Sequence, residues 1–238
     1  MASPSTLPLR RPLEARIFLQ PIAAPSILGS FALASGLLIY GTWLAGAWGN
    51  PASPKSFFPF LLLFSGFGEL GAAMWAFRAR DAVAASIFGA WAAFWLGWGV
   101  MWILATAGTI AIPVPGAPFP SLGQWFIYMA VISWTTAFAA LARSPGRFLA
   151  QALLGTASII AAVSFNAGSA GWEHTAGWVF FASACLFFYV GAATMLDNVY
   201  GIVVLPLLEW RRGANRPGST PVRPVQWEQG EPGVKVGQ

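Results

Sequence analysis

The stretch FSGFGELGAAMW, Phe64 to Trp75, sets one glutamate inside a long apolar run. At helical spacing Ser65, Gly68, Glu69, Ala72 and Ala76 share one face. Phe60, Phe64, Phe67, Leu70, Met74 and Phe77 cover much of the other. Small residues let neighbouring helices approach closely, and bulky ones meet lipid. This pattern describes a membrane helix packed by one face, with Glu69 near its middle. An acid at a helix centre costs about 2.5–3.5 kcal/mol on insertion scales. It reads either as a proton or polar pore site or as a structural hydrogen bond between helices.

Composition extends that reading to the whole chain. Of 238 residues, 57% are hydrophobic and only 9% charged, too few to cover a soluble surface. Apolar segments recur between short polar breaks, each about 20 residues long, which is the length that crosses a bilayer. Backbone polar groups in lipid must be satisfied internally, so the fold class is an all-α integral membrane protein. Six spans are predicted, near 26–46, 57–77, 82–106, 122–142, 148–166 and 175–197. The first is too long for the apolar core of a cleaved signal peptide, which runs about 7–15 residues. Cys185 is the single cysteine, so no internal disulfide or cysteine-built metal site is expected.

The charges orient the chain. Arg10, Arg11 and Arg16 precede span one, Arg78 and Arg80 follow span two, and Arg143 and Arg147 follow span four. Arg211, Arg212, Arg216, Arg223 and Lys235 follow span six. Twelve of the 13 basic residues thus fall on one side and only Lys55 on the other. The positive-inside rule places both termini in the cytoplasm, in a multi-pass protein of the cell membrane. The net charge of +5 reflects this topology and anionic lipid headgroups, leaving no domain for nucleic acid.

The breaks fit. Asp81 is placed to cap span three. SPGR, 144–147, reads as a tight inside turn, and IPVPGAPFP, 112–120, as a Pro-rich outside loop that cannot be helical. Residues 1–20 form a basic cytoplasmic segment, 21–208 the transport domain, and 209–238 a disordered tail rich in Pro, Gly and Arg.

Trp91, Trp95, Trp98 and Trp102 form a stripe in span three. It lines a narrow pore or it packs the core. Trp43, Trp48, Trp125 and Trp172 fall near the outer boundary, where indole rings prefer to sit. His174, beside Glu173, has no partners for a metal site and reads as a cap or interface residue. Phosphate-binding loops and nucleophile elbows are missing, so no cofactor and no enzyme activity are expected.

Several stretches resemble the acetate uptake transporter family, the succinate–acetate permeases of bacteria and yeast. Residues 64–96, FSGFGELGAAMWAFRARDAVAASIFGAWAAFWL, lie without gaps on that family's Y-G-G-x-x-Q … G-x-x-x-x-F-x-x-Y-G-x-F-W-L region. Phe88, Phe94, Trp95 and Leu96 agree there. HTAGWVFFASACLFFYVGAATML, then YGIVVLPL, resembles its H-x-A-G-W … Y … G … L-P ending through His174, Ala176, Gly177, Trp178, Tyr189, Gly201, Leu205 and Pro206. APSILGS, 24–30, sits where the family carries N-P-A-P-L-G-L. Pro25, Leu28 and Gly29 remain, whereas Ala24 replaces Asn and Ile27 replaces the second Pro.

The resemblance implies proton-coupled uptake of small carboxylates by homo-hexamers with one pore per protomer. It also implies a hydrophobic constriction from spans one, three and five, at positions matching Leu33, Trp91 and Thr156. None is identical to the family's Phe, Tyr and Leu, so the gate is reshaped. The family's Gln in span two is Glu69 here, which is expected to be protonated or paired when an acid passes.

Basic residues are absent from the predicted spans, which argues against strong charge-pair binding. Hydroxyl and amide groups such as Ser133, Thr156, Asn166 and Tyr189 suit a weakly held small acid. The leading reading is a proton-coupled or channel-like carrier for acetate and related acids. The alternatives are a pore for ammonia or an amide, and a membrane scaffold or sensor.

Overall fold

The computed structural model describes residues 23–209, and all the regular secondary structure among them is helical. Six helices are long and apolar enough to cross a membrane: α1 Pro25–Leu44, α2 Pro54–Ala79, α3 Ala82–Thr106, α4 Pro120–Leu141, α5 Pro145–Ala167 and α6 Ala170–Tyr200. These match the six predicted spans. The basic segment before residue 23 and the tail from Trp210 lie outside the described residues.

Local chemistry fixes the helix starts. Pro25, Pro54, Pro120 and Pro145 each occupy the first turn, where the missing N–H costs nothing. Asp81 caps α3, its carboxylate accepting from the Ala84 amide at 3.0 Å. Ser144 caps α5 by accepting from the Arg147 amide at 3.3 Å. The SPGR segment is therefore not a turn in itself. Pro145 to Arg147 already belong to α5, and the reversal is confined to Ala142–Ser144. The Pro-rich loop before Pro120 is non-helical, as expected.

Two helices depart from the forecast. The sixth spans 31 residues, about 46 Å at 1.5 Å per residue, longer than a bilayer core of about 30 Å. The second contains a π-helical stretch, Leu61–Phe67, directly after Pro59. Such widened turns are rare and recur at functional sites. Periodicity at 3.6 residues could not reveal it.

The helices close a ring in chain order, with α6 returning to α1, while α2 stands on the seam where α1 meets α3. The small-residue face of α2 is turned inward. Ser65, Glu69, Ala72 and Ala76 are buried, while Phe60, Phe64, Phe67, Met74 and Phe77 are exposed. Glycines bring α1 close to its neighbours: a Cβ on Gly29 would meet the Phe88 ring at 2.5 Å. All four tryptophans of the α3 stripe are buried in the core. Trp48, Trp125 and Trp172 are exposed, as boundary tryptophans would be.

Candidate solute pathway

Two cavities lie at opposite ends of the ring. One, of about 340 Å³, is bounded by Tyr40, Trp43, Lys55, Trp98, Trp102, Phe165, Glu173 and the Pro-rich loop. The other, of about 250 Å³, is bounded by Ser30, Arg80, Asp81, Phe88, Arg143, Arg147, Gln151 and Phe187. Lys55 thus faces the first, and Arg80, Arg143 and Arg147 face the second.

Between them stands a dry layer. On α1, Ser30 lines one cavity and Tyr40 the other; on α3, Phe88 and Trp98 do so. Ten residues of helix separate each pair, about 15 Å. Within that interval Leu33, Leu37, Trp91 and Trp95 are wholly buried. Phe126 and Met129 of α4, Leu154 and Ser158 of α5 and Phe180 of α6 are equally buried. The rings interlock. Trp91 lies 6.1 Å from Phe180, Phe126 lies 5.9 Å from Phe180, and Tyr40 lies 6.0 Å from Trp95. The indole N–H of Trp91 donates to the Ser133 hydroxyl at 3.2 Å.

The predicted constriction residues fall unevenly on this geometry. Leu33 and Trp91 sit inside the layer. Thr156 is half-buried and turns away from the stripe Gln151, Leu154, Ser158, Ala161 and Phe165, which runs from one cavity to the other. Its hydroxyl bonds back to the Ala152 carbonyl at 2.8 Å. On α5 the layer is built by Leu154 and Ser158, which sequence spacing did not single out.

Glu69 lies behind the layer and lines neither cavity. Its carboxyl is wholly buried, and neither oxygen has a hydrogen-bond partner. The indole N–H of Trp95 is its polar neighbour, but the pair does not reach hydrogen-bonding geometry. One turn earlier, the Ser65 hydroxyl donates to the Ala32 carbonyl at 2.8 Å, tying the π stretch to α1. Gly36 makes room here, since a Cβ there would lie 2.6 Å from the Trp95 ring and 2.8 Å from the Ser65 hydroxyl. Trp95 therefore carries Glu69 into contact with the barrier.

The remaining candidates have structural partners. Ala24 is the residue capping α1, with extended backbone and no side-chain bond, and Pro25 starts the helix. Leu28 is exposed, and Gly29 receives Phe88. Asn166 donates to the Ala162 carbonyl at 2.7 Å and accepts from Gln124 at 3.3 Å, linking α4 to α5. The Tyr189 hydroxyl donates to the Pro206 carbonyl at 2.8 Å, outside the ring interior. His174 is exposed beside Gly46 at the end of α1.

Three polar residues at the cavities escaped sequence reasoning, two of them because their partners are distant in the chain. Glu173 accepts from the Gly116 amide at 2.9 Å, pinning the Pro-rich loop across the first cavity. Arg147 donates to the Thr194 hydroxyl at 2.9 Å and faces Glu209 at 3.8 Å. Gln151 is buried in the wall of the second cavity with its carbonyl oxygen unpartnered.

Comparison with known proteins agrees with this architecture. A solved structure described as the bacterial acetate channel SatP superposes with a TM-score of 0.70 at 18% identity, over 79% of this chain and 99% of that one. At that identity the likeness concerns the fold. No curated protein matches the chain. The profile of the GPR1/FUN34/yaaH family matches residues 11–210. The match takes in all six helices and both cavities, and the chain belongs to the GPR1/FUN34/yaaH family.

Proposed function

We propose that this protein passes acetate and related short-chain carboxylates across the cell membrane, coupled to protons, through one pore in each protomer. The observation that carries the reading is the pair of cavities at opposite ends of the ring, parted by a dry aromatic layer. The fold shared with an acetate channel supports the solute class. A bare carboxylate pays a large desolvation cost in such a layer, whereas the neutral acid does not. The proton therefore travels with the solute, and Glu69 behind Trp95 is the titratable group nearest the barrier in the chain's own α2. Leu33 and Trp91 form the constriction. The charge pattern puts both termini and the arginine-lined cavity in the cytoplasm, with Lys55 outside. The assembly is a homo-hexamer on this reading, which rests on the resemblance to the acetate uptake transporter family.

Uptake of labelled acetate into proteoliposomes, with and without an inward proton gradient, tests this. Stimulation by the gradient is expected, with competition by propionate but not by acetamide or ammonium. Uptake of acetamide or ammonium alone would support a pore for neutral solutes instead. No transport of any of them would leave a scaffold.

A further inference from the structure

We propose that Arg143 and Arg147 at the inner cavity form a binding site for the transported carboxylate, and that the chain's own Glu209 occupies it in the closed protein. The inference rests on the transport reading above and gives it a resting state.

After α6 the chain folds back under the bundle. The Tyr189 hydroxyl holds the Pro206 carbonyl at 2.8 Å, and the Ser144 hydroxyl donates to the carbonyl of Leu207. Gly146 is packed so closely that a Cβ would stand 3.1 Å from that same carbonyl oxygen. These anchors bring Glu209 to the arginines. One carboxylate oxygen lies 3.7 Å from Arg143 Nε and 3.8 Å from Arg147 Nη2.

That clasp is loose. Charge-assisted hydrogen bonds run about 2.7–2.9 Å, and here a single oxygen is shared between two guanidinium groups at longer range. The Glu209 side chain keeps about a third of its surface exposed, at 32%, so solvent screens the pair. Asp81, at 4.0 Å from Arg143, is the second acid on this cluster and is committed to capping α3. Releasing Glu209 would leave Arg147 with no acid partner among the described residues.

The wall beside Arg147 is also incomplete. Its Nε is buried without a partner, and so is the carbonyl oxygen of Gln151, four residues on and on the same helix face. Buried polar groups are nearly always paired, so this donor and this acceptor suit a ligand. A carboxylic acid offers the complementary pair, an oxygen that accepts and a hydroxyl that donates. An acid that has crossed the barrier and released its proton meets its first positive charge here, beside Ser30 and Phe88. Glu209 presents the same chemical group on a tether. A short tether sets an effective concentration on the order of millimolar, so solute at millimolar levels displaces it.

Hydrogen exchange of the full-length protein in detergent tests the displacement without relying on transport. Sodium acetate should speed exchange of backbone amides in 205–209, and Glu209→Gln should show fast exchange already, with no further response. In vesicles, Glu209→Gln should lower the half-saturating acetate concentration from the arginine-bearing face about fivefold or more. Equal exchange in both proteins, with and without acetate, would overturn the proposal, as would sodium chloride at matched ionic strength reproducing the whole effect. A parent protein that transports no carboxylate, yet shows the acetate-dependent exchange, would overturn the transport reading and leave this site standing.

Discussion

Trp91 reaches from α3 to α4 and donates its indole N–H to the Ser133 hydroxyl at 3.2 Å, in the middle of the barrier. The bond holds the Trp91 ring in place within the buried layer. Trp91→Phe should therefore loosen the barrier while keeping most of its apolar bulk. The expected outcome is faster acetate flux and measurable passage of larger acids such as butyrate, read as a changed acetate-to-butyrate ratio. Loss of the Ser133 partner should cost about 1 kcal/mol of stability. Trp91→Ala should cost about 3–5 kcal/mol, because a cavity is left as well. An unchanged acid preference in Trp91→Phe would remove Trp91 from the constriction.

Glu69 supplies a second test. The neutral acid feels no like-charge repulsion, so an ionised carboxylate behind Trp95 would oppose only the fraction of solute that crosses as the anion, by roughly 1.7 kcal/mol for like charges about 10 Å apart at an effective dielectric constant of ~20. Glu69→Gln removes that opposition wherever Glu69 is charged and changes nothing where it is neutral. Since ionisation grows with pH, the ratio of variant to parent flux should rise as pH rises. Acetate flux measured at several pH values, with the gradient held constant, checks this. Parallel profiles for the two proteins would make Glu69 a packing residue.

Much of this architecture was legible in the residues. The length of the apolar runs, the polar breaks between them and the Asp81 cap specify six spans, because each is a local property. The inward face of α2 was legible for the same reason, since small residues and phenylalanines segregate at helical spacing. The π stretch at Leu61–Phe67 was not, because widening a turn breaks the very period used to read the helix. Thr156 illustrates a second limit. The resemblance supplied its position in the chain but not the face it takes once α5 is packed, and here that face is turned away from the stripe of Gln151, Leu154 and Ser158. Glu173, Arg147 and Glu209 were hidden for a third reason: their partners lie tens of residues away, and only the closed ring brings them together.

Glu173 spans 57 residues of chain to accept from the Gly116 amide, and this holds the Pro-rich loop over the cavity that Lys55 lines. A hydrogen bond to a charged group contributes about 1.5–3 kcal/mol, so Glu173→Ala should free the loop without unfolding the bundle. Faster hydrogen exchange confined to residues 111–118 is the expected result. The melting temperature should change little. Equally fast exchange along α5 and α6 would show that Glu173 holds the bundle itself.

The glycines provide a contrast in sign. Gly177 of α6 lies against the end of α1, where an added Cβ would stand 2.4 Å from the Ala45 nitrogen and 2.5 Å from the Gly41 carbonyl oxygen. Those neighbours are backbone and cannot swing aside, so Gly177→Ala must part α1 from α6 and should cost about 1–3 kcal/mol as overpacking does. Gly97, on the outer face of α3, has nothing within 4 Å of the same added atom. There alanine only restricts the unfolded chain and favours the helix, and Gly97→Ala should gain up to about 1 kcal/mol. Thermal unfolding in one detergent measures both. Because α1 and α6 both wall the pathway, Gly177→Ala should also raise solute leak at temperatures where the protein remains folded, whereas Gly97→Ala should leave flux unchanged. Destabilisation by both substitutions would mean that the outer face of α3 is packed against another subunit.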